Sequence, residues 1–217
     1  MKAAVAMCSL AAIVAGTAHG SIVSFVSVPE YSDPGFYTGT MDYACPGKEQ
    51  TLGTLTVTLN NTTSLENEGW LTGFAFNIVP SVTLALTSGL SGWCGMSGVN
   101  GTGFGQPYDF GAGVGGRFNG VPNNDVDLGI VAGASGTFEF SVAGDLRTLC
   151  SLTSASFFDE SKDYALVARF MKFAHGNAFS GGDNEHRGNA KIPAQTPAPG
   201  ALALLALSSI TSRRRQR

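Results

Sequence analysis

The chain has 217 residues, of which 43% are hydrophobic and only 13% charged, with 29 glycines, nine prolines and a formal charge of −3. That length suits one domain with short extra segments, and the low charge excludes a disordered acidic or basic tail protein. Too little proline for collagen and no basic excess for a nucleic-acid face remove two further classes.

Met1 and Lys2 give a short positive start, followed by an apolar run over residues 3–15. Small residues then occupy the positions a signal peptidase reads before Ser21. The pattern predicts a signal peptide over residues 1–20, with a run too short to span a bilayer as a stable helix. A buried N-terminal helix would need a polar face, and the run has none.

Period-two alternation dominates the middle. Residues 22–28 form a first apolar run; Leu55, Val57 and Leu59 then alternate with Thr54, Thr56 and Thr58. Phe74, Phe76 and Ile78 make a third set, and Val82, Leu84 and Leu86 a fourth, beside Thr83 and Thr87. Such patterns, rich in Phe, Val and Thr, predict half-buried strands. Turn signals at Asp33-Pro34-Gly35, Cys45-Pro46-Gly47, Asn60-Asn61 and Glu68-Gly69 separate them.

Residues 88–120 hold 12 glycines in 33 positions and predict a long connection, either a plain surface loop or a functional one. Trp93, Phe104, Tyr108, Phe110 and Phe118 within it need something to pack against, and Trp93, Phe104 and Tyr108 are candidate stacking surfaces for a carbohydrate. Residues 111–116 satisfy G-x-G-x-x-G, but no strand-to-helix context surrounds them, so a dinucleotide site is rejected. Asn123, Asp125 and Asp127 space oxygen ligands two apart, as a calcium loop does, although Gly129 is displaced and no Glu holds the twelfth position. Asp183, with Asn184 and Glu185, is a second candidate calcium loop; solvated turn carboxylates are the competing reading for both.

Phe138, Phe140 and Val142 against Thr137, Glu139 and Ser141 predict another strand. Residues 145–158 offer a helix, with Leu146, Leu149 and Leu152 at steps of three. Residues 164–173 are apolar on both faces except at Arg169 and Lys172, as a central strand can be, and residues 181–196 read as a polar linker. The sum is an all-β antiparallel sandwich, jelly-roll-like, over residues 21–180, with one short helix.

Support for catalysis is thin. Beyond the leader only His175 and His186 remain, no G-x-S-x-G elbow is present, and the two histidines have no thiol beside them for zinc. Glu139 alternates outward on its strand, where a solvated face explains it better than a glycosidase acid does. The chain is therefore expected not to be an enzyme, with no cofactor other than possible calcium. Of the cysteines left after Cys8, an oxidising compartment should pair two of Cys45, Cys94 and Cys150. Cys45 and Cys94 both lie in Gly- or Pro-punctuated segments and are the expected pair, leaving Cys150 as a buried thiol. N-x-T triplets at Asn60, Asn61 and Asn100 read as chance in a chain rich in Thr and Asn.

The last segment is distinctive. Pro197, Ala198, Pro199 and Gly200 lead into an apolar run over 201–210, then Arg213, Arg214, Arg215 and Arg217. About a dozen residues reach about 18 Å as a helix, short of the ~30 Å hydrocarbon core, and the arginines favour the cytoplasmic side. This order resembles a PEP-CTERM sorting signal of exosortase-bearing, Gram-negative-type bacteria. Ala198 and Gly200 stand where that family more usually has Glu and Ser or Thr. Val167-Ala168-Arg169-Phe170-Met171 and Gly181-Gly182-Asp183-Asn184 are loosely similar to the strand and Gly-rich segment that precede the signal in many such proteins. The resemblance implies export, a transient inner-membrane stage, and recognition with cleavage near Pro197–Gly200 by an exosortase after signal peptidase has acted. It further implies a non-catalytic cell-surface or extracellular-matrix role associated with exopolysaccharide. A carbohydrate- or calcium-binding module is the alternative, and a hydrolase the third. Residues 197–217 are assigned to sorting. Residues 21–199 then hold four Lys and four Arg against sixteen Asp and Glu, a net of −8.

Overall fold

A computed structural model describes residues 22–28, 35–47, 51–78, 82–100, 102, 107–119, 121–158, 164–173 and 190–196. The leader, the sorting segment with Pro197, Pro199, Gly200, Arg213, Arg214 and Arg215, and Phe104, His175, Asp183 and His186 lie outside them.

Ten strands run β1 Val23–Ser27, β2 Tyr37–Ala44, β3 Leu52–Asn61, β4 Glu68–Phe76, β5 Thr83–Ser88, β6 Trp93–Val99, β7 Tyr108–Val114, β8 Ser135–Ala143, β9 Leu166–Phe173 and β10 Ala190–Gln195. They make one sheet in the order β5-β8-β3-β2-β1-β10-β9-β4-β7-β6. Every pairing is antiparallel. The all-β expectation therefore holds.

The sheet folds over on itself because each half has an apolar inner face to bury. Phe74 on β4 meets Phe138 on β8 with ring centroids 5.0 Å apart, and Phe76 meets Phe140 edge-on at 5.7 Å. Nearer the middle, Tyr37 on β2 faces Phe170 on β9 at 6.0 Å. The layer β5-β8-β3-β2-β1 thus covers the layer β10-β9-β4-β7-β6. Its two edges, β5 and β6, approach one another, for a Cβ on Gly95 would lie 3.0 Å from Leu86 Cβ.

Alternating directions place the starts of β1, β3, β5, β7 and β9 at one end of the sandwich. The ends of β2, β4, β6, β8 and β10 share it. At this end the chain after β8 forms α1 Leu146–Ser151, with Asp145 accepting a hydrogen bond from the Thr148 N–H at 3.0 Å. The expected helix over 145–158 is shorter than the spacing implied: Leu152 is extended, and Thr153 caps a separate 3-10 turn at Ser154–Phe157. Buried Tyr43 holds this segment, its hydroxyl donating to the Leu149 carbonyl at 2.9 Å while its N–H donates to Ser154 Oγ at 2.9 Å.

Three expectations are corrected. Cys45 pairs with Cys150, not with Cys94: Cys45 follows β2 and Cys150 ends α1 at the same end, with Cα atoms 5.2 Å apart. Cys94 lies at the start of β6, at the opposite end, and is a free exposed thiol. The supposed loop over 88–120 contains strands β6 and β7. The second half of the supposed linker over 181–196 is β10, a central strand between β1 and β9. Ala190, Ile192 and Ala194 point into the core from it, and the buried Tyr37 hydroxyl donates to the Ile192 carbonyl at 2.8 Å.

Candidate functional site

Glycine shapes the region around β6 and β7. On β7 a Cβ at Gly111 would run into the Phe74 carbonyl oxygen of neighbouring β4, and one at Gly113 would sit 2.7 Å from the Arg117 carbonyl oxygen. Bare backbone at Gly113 lets residues 115–119 turn back over the outer face of the second layer. Gly115 and Gly116 make that turn with φ of 62° and 69°.

Phe118 lands beside Gly73 and joins Ala75, Val99, Tyr108 and Val167 in a small second core outside the sheet. Arg169 is buried beneath it, and its Nη1 donates to the Phe118 carbonyl at 2.6 Å. Burial pushes the guanidinium down to about 10. Lys191 stands opposite Arg169 in the β9–β10 register, and burial followed by the Arg169 charge pushes its ammonium below the ordinary value. At neutral pH Arg169 remains protonated, a cation spent on holding the 115–119 segment in place.

Two clefts flank β6. One opens where β5 and β6 diverge from their contact at Leu86 and Gly95, and has a volume of about 330 Å³ with Leu84, Phe110 and Phe140 on its floor. The other, of about 410 Å³, lies between Ser97–Asn100 and Gly116–Asn119. Its polar groups are neutral: Asn100 Nδ2 donates to the Gly98 carbonyl at 3.1 Å, and Asn119 Nδ2 donates to the Asn100 carbonyl at 3.2 Å. These volumes are in the range of small-ligand sites. Neither cleft is lined by a charged side chain. What the second cleft offers is neutral hydrogen-bonding groups from Ser97, Asn100 and Asn119. No histidine falls among the described residues.

Two of the three stacking candidates, Trp93 and Tyr108, are covered by protein. Trp93 points inward, packs on Phe138 at 4.6 Å and donates its indole N–H to the Leu128 carbonyl at 2.8 Å. Tyr108 is buried in the small second core. A ring covered by protein has no face left for a sugar.

The calcium candidates separate in a similar way. Asp125 and Asp127 occupy a 3-10 turn at Asn123–Leu128, where residues two apart point about 120° away from each other around the axis. Asp127 binds Lys172 at 2.6 Å, and the same ammonium lies 5.6 Å from the centre of the Trp70 ring. Lys172 itself has a left-handed φ of 63° within β9. Among the described residues no three His, Cys, Asp or Glu side chains gather to hold a metal.

Asn61, one of the N-x-T asparagines, is buried and structural, its Nδ2 donating to the carbonyls of Gly69 and Ile130 at 2.8 Å each. The neutral cleft escaped sequence reasoning because Ser97, Asn100 and Asn119 come from strand and turn positions that converge only when 115–119 folds back. One signal was available. Phe74, Ala75 and Phe76 are apolar in succession, which a strand tolerates only when both of its faces are covered.

No family model matches the chain, and neither a curated protein nor a solved structure matches it.

Proposed function

We propose that the chain is an exported, non-catalytic surface or extracellular-matrix protein, carried to its place by a C-terminal PEP-CTERM signal and associated with exopolysaccharide. The observation that carries this reading is the order Pro197-x-Pro199-Gly200, a Leu/Ala-rich run over 201–210, then the arginine cluster. Two features support it. The last strand ends at Gln195, so a cut near Pro197–Gly200 would spare the sheet. The Cys45–Cys150 bond is compatible with an oxidising compartment.

The test is fractionation of cells expressing the chain with Arg213, Arg214 and Arg215 replaced by alanine, or of cells lacking the exosortase. Both should hold the protein in the membrane at its tail-bearing mass. Release as ready as that of the unaltered chain would refute the sorting reading.

A second reading, a carbohydrate-binding module, draws on the neutral cleft of Ser97, Asn100 and Asn119 in place of the buried rings. Binding on a glycan array that is lost in an Asn100→Ala, Asn119→Ala double variant would favour it.

A further inference from the structure

Three exposed apolar side chains sit at the end of the sandwich from which the tail leaves. Ile22, 59% exposed, precedes β1; Leu52, 47% exposed, opens β3; and Leu146, 51% exposed, opens α1. The opposite end has its own exposed apolar residues, Phe36, Leu65, Leu128 and Val131. There, however, they share the surface with Glu66, Glu68 and Asp127, all exposed. Apolar exposure alone does not choose between the two ends.

The tether does. From Gln195, the last residue of β10, to Ala201, the first of the apolar run, is six residue steps. Fully extended, that is about 20 Å, of which the headgroup layer takes some 5–7 Å. A strand of eight residues such as β9 is about 27 Å long, so the tether is too short for the domain to stand on its far end, and the end from which the tail leaves is the one held near the bilayer. Charge does not separate the two ends: exposed Arg147 beside Leu146 can meet an anionic headgroup, but exposed Asp145 stands next to it, and at the far end Lys172 pairs with Asp127.

We infer that, in the tail-bearing form, the end of the sandwich carrying Ile22, Leu52, Leu146 and Arg147 lies on the membrane surface, with these side chains at headgroup depth. This rests on the reading of 201–210 as membrane-held. The Pro197–Gly200 segment is then confined between the domain and the bilayer, and cutting it frees both the protein and this face.

The experiment is carbene labelling from a lipid-phase diazirine. It uses the exported, tail-bearing chain in vesicles of phosphatidylethanolamine and phosphatidylglycerol, read by peptide mass spectrometry. Label is expected in 201–210 and at Ile22, Leu52 and Leu146, with Leu65, Leu128 and Val131 several-fold lower. A Leu52→Glu, Leu146→Glu double variant, changed only at exposed sites, should lose label at Ile22 several-fold while 201–210 keeps its own. Label in 201–210 without label at Ile22, Leu52 and Leu146, or with the far end labelled equally, overturns the inference. No label in 201–210 overturns the membrane reading and this inference together.

Discussion

The two layers of the sandwich solve different problems. In the layer β5-β8-β3-β2-β1, β3 and β8 alternate cleanly: Leu55, Val57, Leu59, Phe138 and Phe140 face in, while Thr54, Thr56, Thr58, Thr137 and Glu139 face out. Polar outer rows such as Thr58 against Thr137, whose hydroxyls lie 3.3 Å apart, keep that surface wet. The other layer, β10-β9-β4-β7-β6, is covered on both sides where residues 115–119 and the small second core lie over it. The first layer is locked covalently at one end by Cys45–Cys150, which ties β2 to the helix after β8. The second is held by packing, by glycine at its close approaches, and by Arg169. One chain thus combines an open, cross-linked layer with a covered, non-covalent one.

Cutting the covalent lock should have the largest effect. The loop that the disulfide closes spans 105 residues, for which the chain-entropy treatment gives about 4–5 kcal/mol. Denaturant unfolding of a Cys45→Ser, Cys150→Ser variant should show that loss. A Cys94→Ser variant should unfold like the unaltered chain, since Cys94 is free and exposed.

Phe74 joins the layers, touching Phe138, Phe140, Phe76 and Trp93. Phe74→Ala should cost about 3–5 kcal/mol by the same measurement. The second layer's special dependence appears at glycine. Gly113→Ala presses a methyl against the Arg117 carbonyl and should cost about 1–3 kcal/mol while loosening residues 115–119, visible as faster amide exchange there. Gly98→Ala meets nothing within 4 Å but keeps a φ of 59°, so about 1 kcal/mol is expected without the exchange effect.

The smallest effect belongs to the cap of α1. The Thr148 hydroxyl and N–H hold the Asp145 carboxyl below its ordinary value. Its contribution is therefore present above the unfolded carboxyl pKa and lost as the pH falls through the lower folded value. The stability gap between the unaltered chain and Asp145→Ala should be visible at neutral pH and close in acid.

The contrast between layers also explains what could be read from sequence. β3, β5 and β8 announce themselves through period-two alternation, because one face of each is wet. β9 was legible as a central strand from its two apolar faces, broken by Arg169 and Lys172. β6 and β7 were hidden, since strands that need glycine for close contacts at 95, 111 and 113, and for a positive φ at 98, carry the composition of a loop. β10 was hidden by Lys191 and Pro193, polar or strand-breaking residues that face outward while Ala190, Ile192 and Ala194 fill the core. The disulfide partner followed from topology rather than spacing, because only the alternation of strand directions puts Cys45 and Cys150 at one end. The neutral cleft depends on that same hidden layer, and it became visible only with the fold-back of 115–119.

On the proposed reading, an acidic, disulfide-locked β-domain operates outside the cell once both flanking segments have done their work. Intact-mass spectrometry of the exported protein, followed by non-reducing peptide mapping, tests it most directly. The expected product begins at Ser21, ends between Pro197 and Gly200, and carries Cys45 linked to Cys150. An exported chain that still ends in Arg217 would contradict it.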